Sequence, residues 1–118
     1  KYLSHGAEAI FTHPKNAVYA ALDLEKSVDS FNKTHTTVQI LSIIIGIHCD
    51  KKSVIGTIGE AERMESAIVS STMKIAQSIK QLAKKLKSKV LISRETLGYV
   101  KKSWTNVQYR YLGSHSIV

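Results

Sequence analysis

The chain has 118 residues, 43% hydrophobic and 22% charged. That gives room for one core but not two, and the mix is neither disordered nor fibrous. Seventeen Lys and Arg against nine Asp and Glu leave a formal charge of +8, which points towards nucleic acid, acidic membranes or phosphorylated ligands.

The run Ile43-Ile44-Ile45 is far short of a membrane span. No basic-then-apolar leader opens the sequence and Cys49 has no cysteine to pair with, so a cytoplasmic setting without disulfides is expected.

Residues 1–11 hold two short apolar pieces around Ser4-His5-Gly6, and a tight hairpin through Gly6 is expected because glycine accepts positive φ. Pro14 suits the first turn of a helix, with Thr12 or His13 just before it. Ala17, Ala21, Leu24, Val28 and Phe31 then recur at helical spacing, ending near Asn32. Residues 38–47 are β-branched and nearly continuously apolar, which predicts a strand buried on both faces. A turn at Asp50-Lys51-Lys52 leads to a return strand over 54–58, a polar excursion over 60–65 and a short strand over 67–69. Ser70 or Ser71 caps a second helix carrying Met73, Ala76, Ile79, Ala83 and Leu86 on one face. Val90-Leu91-Ile92 is a strand, and Ser93 caps a short helix ending near Lys101. Residues 107–112 alternate as a final strand.

This order predicts an α+β domain: a mainly antiparallel sheet of ferredoxin-like type with helices on one face. Such a unit begins with a strand and helices that would precede Lys1, and their lack would expose a sheet edge open to pairing with another chain.

Several stretches, in order and across essentially the whole chain, resemble the class III nucleotide (adenylate/guanylate) cyclase catalytic domain. Lys1-Tyr2-Leu3-Ser4-His5-Gly6 is similar to that family's "KYIGDG", and Ala9-Ile10-Phe11 to its "ALF". Gly46-Ile47-His48 resembles "GIHTG", and the nine residues from Gly56 to Met64 resemble "GTIGEEERM". The ten residues from Ala67 sit where the family carries "TVISDAVNLA"; Leu91 to Leu97 matches "LISEETL", and Tyr109 to Gly113 matches "FRPLG".

The resemblance implies a ferredoxin-like palm and a working dimer. It also implies a chemistry in which a ribose 3′-hydroxyl attacks the α-phosphate while two cations neutralise charge. The family holds those cations on two aspartates. One lies upstream, and the other matches His5, which brings no negative charge and prefers softer metals. The family's transition-state Asn and Arg, four apart on one helix face, match Lys74 and Ser78. Lys1 matches its purine-contacting lysine. The partner position of that lysine is Ala67, which has no hydrogen-bonding side chain. Cys49-Asp50 stands where the family has "TG".

The resemblance therefore implies a degenerate domain in cyclic-nucleotide signalling, acting as a regulatory or dimerisation module with no intact catalytic or metal site. Its expected partners are a second copy or another cyclase domain, with nucleoside triphosphate a possible ligand. It is expected to carry no cofactor, and magnesium or manganese only where activity persists. An active cyclase with a non-standard site is one alternative. A basic nucleic-acid-binding module is another, disfavoured because residues 38–47 offer no aromatic for base stacking. His48 reads as a structural histidine at a strand end, Cys49 as a small buried residue, and Tyr99 with Trp104 as cover for the core's edge. Lys80, Lys84, Lys85, Lys87 and Lys89 read first as a solvated helix face and second as a docking patch.

Overall fold

A computed structural model describes the backbone of residues 2–3, 6–35, 40–50, 58–103 and 107–115, with side chains over 6–35, 40–50, 71–102 and 107–115. Strands β1 (Tyr2–Leu3) and β2 (Gly6–Ala7) form an antiparallel hairpin in which Tyr2 faces Ala7 and Leu3 faces Gly6. Gly6 thus lies in the second strand, and it is Gly113 that takes a positive φ, of 100°. The connecting Ser4 and His5 lie outside the described residues.

Helix α1 (Pro14–Thr34) starts as its sequence dictates. His13 is extended at the N-cap and Pro14 follows, its missing N–H costing nothing in a first turn. The buried face is Val18 and Ala21, with Ala17 and Leu22 beside them. Leu24, assigned to that face from its spacing, is 46% exposed. The helix ends with Phe31 stacked on His35, ring centroids 4.2 Å apart. Asn32 then grips the returning chain: its amide donates to the Leu41 carbonyl at 2.9 Å and accepts from the Leu41 N–H at 2.8 Å.

Of the long strand expected over 38–47, the described part is strand only at β3 (Ile45–Ile47). Residues 40–44 have no ladder partner among the described residues, and Ile40 is 73% exposed. β3 pairs in parallel with β4 (Val90–Ile92), Gly46 opposite Leu91. The connection between them contains α2 (Ile58–Leu86), 29 residues long. The expected polar excursion over 60–65 and strand over 67–69 are both helix; Ser70 and Ser71 lie inside it rather than at its cap. The sequence permits this because residues 58–86 contain neither proline nor an interior glycine run. Of the expected return strand over 54–58, Ile58 opens α2 and the rest lies outside the described residues, as do Lys51 and Lys52.

Successive strand residues point to opposite faces, and β3 uses both. Ile47 packs with Val18, Ala21 and Val100, so α1 and α3 (Arg94–Val100) cover that face. Gly46 faces the backbone of α2 at Ala76 and Lys80. Helices therefore flank the two-stranded parallel sheet on both faces, not on one as expected. Among the described side chains of α2, Ile79 and Ala83 are the buried ones.

Residues 107–115 are irregular, which corrects the final strand expected over 107–112. Tyr109 and Tyr111 are 51% and 77% exposed, with the Lys101 ammonium 5.8 Å from the Tyr109 ring centroid. Tyr99, expected to cover the core, is 52% exposed; Trp104 lies outside the described residues. The coarse result is a small α+β fold of three helices and a short parallel sheet, with a separate hairpin at its start.

Candidate functional site

The residues singled out from the sequence are brought together only in part. Lys1 and His5 lie outside the described residues. The backbone of Ala67 lies in α2, not in a strand. Lys74 and Ser78 occupy successive turns of the same helix, as their spacing requires. Lys74 is exposed, and the Ser78 hydroxyl donates to the Lys74 carbonyl at 3.2 Å. That bond turns the short side chain back onto its own helix.

A polar cluster that spacing alone did not reveal sits at the carboxyl ends of β3 and β4. His48 follows β3 and Ser93 follows β4, so the parallel pairing sets them side by side. His48 Nδ1 lies 2.8 Å from Ser93 Oγ, and His48 Nε2 lies 3.2 Å from Asp50 Oδ1. The His48 side chain is 5% exposed and that of Asp50 37%. Thr72, on α2, donates its hydroxyl to Asp50 Oδ2 at 2.6 Å. Ser93 is the N-cap of α3 and accepts from the Thr96 N–H at 3.2 Å, with the Thr96 hydroxyl 2.8 Å away. Thr96 is fully buried.

The carboxylate can only accept, so with a neutral ring the partners assign the tautomer. Nε2–H donates to Asp50, Nδ1 accepts from the Ser93 hydroxyl, and the Ser93 and Thr96 hydroxyls lie within hydrogen-bond reach of each other. One chain of hydrogen bonds thus ties α2 through both strand ends to α3.

Asp50, His48 and Ser93 stand in the order acid, base, hydroxyl that activates a nucleophile in other proteins. Here the Ser93 oxygen already accepts from the helix it caps. Two grooves among the described residues also lie elsewhere. One, of about 230 Å³, runs between α1 and residues 40–43; the other, of about 300 Å³, lies beside Tyr19, Leu22 and Val107. The cluster is accordingly a clamp on the sheet's carboxyl edge, which agrees with the structural reading of His48.

Cys49 sits beside this clamp, half-buried rather than fully buried. Burial pushes its thiol above the ordinary range. The hydrogen bond with Thr96 offsets part of this, and the Asp50 and Glu95 carboxylates push it up further. It is a poor thiolate nucleophile.

Among the described residues, no three His, Cys, Asp or Glu side chains gather as a metal site, and no helix is long and apolar enough to cross a membrane. Compared with protein-family models, with curated proteins and with solved structures, the chain matches none.

Proposed function

We propose that the chain is a degenerate class III nucleotide cyclase homology domain with a ferredoxin-like palm. It serves cyclic-nucleotide signalling as a regulatory or dimerisation module and is not a cyclase on its own. The observation that carries this reading is the ordered run of motifs from Lys1 to Gly113, with scaffold residues kept and chemical ones replaced.

The replaced positions are those the reaction depends on. His5 stands for a metal-binding aspartate, Lys74 for the asparagine and Ser78 for the arginine. Removing one such electrostatic donor costs about a hundred- to a thousandfold in rate. With a cation-holding carboxylate gone as well, two hard cations have too few oxygen ligands.

Two local features support the reading. Gly46 and Ile47 end a strand that His48 follows, and Ser93 caps the helix that follows Val90–Ile92. Other features depart from it: the described sheet pairs in parallel with helices on both faces, residues 107–112 form no strand, and Gly59 to Val69 is helical where a polar excursion and a short strand were expected.

The test is turnover of ATP and GTP with magnesium or manganese. The chain alone is expected to form no cyclic nucleotide; turnover at an ordinary enzymatic rate would overturn the proposal.

A further inference from the structure

The net positive charge lies in one half of the sequence. Residues 66–118 hold ten of the 17 Lys and Arg and a single acid, Glu95; residues 1–65 hold seven and eight. The structure concentrates part of that excess on one helix. After Ser71, the exposed positions of α2 are Lys74, Gln77, Lys80, Gln81, Lys84 and Lys85. They form an arc roughly 17 Å long at the rise of an α-helix, running from Lys80 at the edge of the sheet contact, where its backbone meets Gly46, round to Lys74 and Lys85 on the side away from buried Ile79 and Ala83.

Among the described residues, one acid meets the arc at Gln77 and another lies beyond its end, at Lys89. Glu8 accepts from Gln77 at 2.7 Å, and Asp29 lies 3.6 Å from Lys89. Among the described residues, no ion pair engages Lys80, Lys84 or Lys85.

This arrangement works against the stability of the free chain in two ways. Lys80 and Lys84 repel at a spacing of four, where an acid would attract. Lys87 follows the helix with φ of 56°, a left-handed position that glycine fills with less strain. The helix dipole favours Lys84 and Lys85 in the last turn, but it accounts for neither Lys80 nor the strained Lys87.

We infer that this face of α2 is an electrostatic docking surface for an anionic lipid bilayer. Charge complementarity carries the inference, and the residue type selects the occupant. All the cations of the arc are lysines, hydrated point charges suited to the diffuse field of a fluid surface. Fixed phosphates of a nucleic acid are better gripped by arginine forks, and no aromatic lies among the exposed positions of the arc for base stacking. The apolar side of the helix is already engaged by the sheet, so adsorption is peripheral, without insertion. The inference is independent of the cyclase reading.

The test uses co-sedimentation of the whole chain with vesicles of phosphatidylcholine alone and of roughly 3:1 phosphatidylcholine–phosphatidylserine. Binding is expected only to the anionic vesicles and is expected to weaken as salt is added. The triple variant K80Q/K84Q/K85Q is expected to lose about a hundredfold in partitioning, at about fivefold per lysine. K15Q/K26Q/K33Q removes the same charge from α1 and is expected to change it by no more than about twofold. Circular dichroism of both variants confirms that the helices persist. Equal losses in the two variants would overturn the inference, because net charge alone would then be responsible. So would failure to bind anionic vesicles, with or without salt-sensitive binding to a DNA duplex.

Discussion

At Gly46 a single methyl group decides whether β3 packs on α2. A Cβ there would lie 2.5 Å from the Lys80 backbone nitrogen and 2.6 Å from the Ala76 carbonyl oxygen. Neither atom can swing aside as a side-chain tip can. Gly46→Ala is therefore expected to destabilise the fold by about 1–3 kcal/mol or more, read as a lowered urea midpoint. An unchanged midpoint would mean that the two backbones are not in contact.

Cys49 carries a pH signature. Its thiol holds its proton more tightly in the folded chain than in the unfolded one. Stability from this source is fully present below the unfolded thiol's value, about 8.5. It is lost as pH rises through the higher folded value. The melting temperature is expected to decline over that alkaline window, with a smaller decline in Cys49→Ala. Alkylation at pH 8 is expected to be slower than for a free cysteine. Equal rates would show that the thiol is neither buried nor facing Asp50 and Glu95.

At the scale of the element, the C-terminus of α2 is closed by a complete capping motif. The Ser88 N–H donates to the Ala83 carbonyl at 2.9 Å and the Lys87 N–H to the Lys84 carbonyl at 3.3 Å. That geometry requires the left-handed residue found at Lys87. Lys87→Gly is expected to stabilise the chain by roughly 0.5–1 kcal/mol, the relief of strain exceeding glycine's added freedom in the unfolded state. A loss of stability in thermal unfolding would place Lys87 outside that motif.

The elements legible in the sequence were those with local signals at both ends. Pro14 opened α1, and Ser93 with Glu95 and Thr96 marked α3. The buried pair Ile79 and Ala83 followed from helical spacing. What failed depended on distant partners. Residues 58–69 contain β-branched pieces that read as strand, yet they continue a helix. Residues 107–112 alternate correctly, but alternation specifies a face only where a neighbouring strand offers a ladder. The clamp of His48, Asp50, Thr72, Ser93 and Thr96 spans residues up to 48 apart in sequence numbering. Only the parallel pairing of β3 with β4 brings it together. The adjacency of His48 and Ser93 to the ends of two apolar strands was the one signal that pointed to it.

For the whole molecule, the radius of gyration is 16.1 Å and the principal extents are 57 × 31 × 27 Å. A compact chain of this length has a radius of gyration near 13.5 Å by general scaling. The excess reflects a 29-residue helix, about 43 Å long, beside a sheet of only two three-residue strands. A small sheet and a long charged helix suit a module that works against a second surface, as both proposals above require.

The proposed loss of cyclase chemistry at His5, Lys74 and Ser78 can be tested at the nucleotide site itself. The most direct measurement is a titration with fluorescent ATP and GTP analogues, with and without manganese. It is run side by side on the natural chain and on the variant carrying His5→Asp, Lys74→Asn and Ser78→Arg. No manganese-dependent binding is expected for the natural chain, and a manganese-dependent gain is expected for the variant. Manganese-dependent, base-selective binding by the natural chain, or no gain in a folded variant, would contradict the proposed loss.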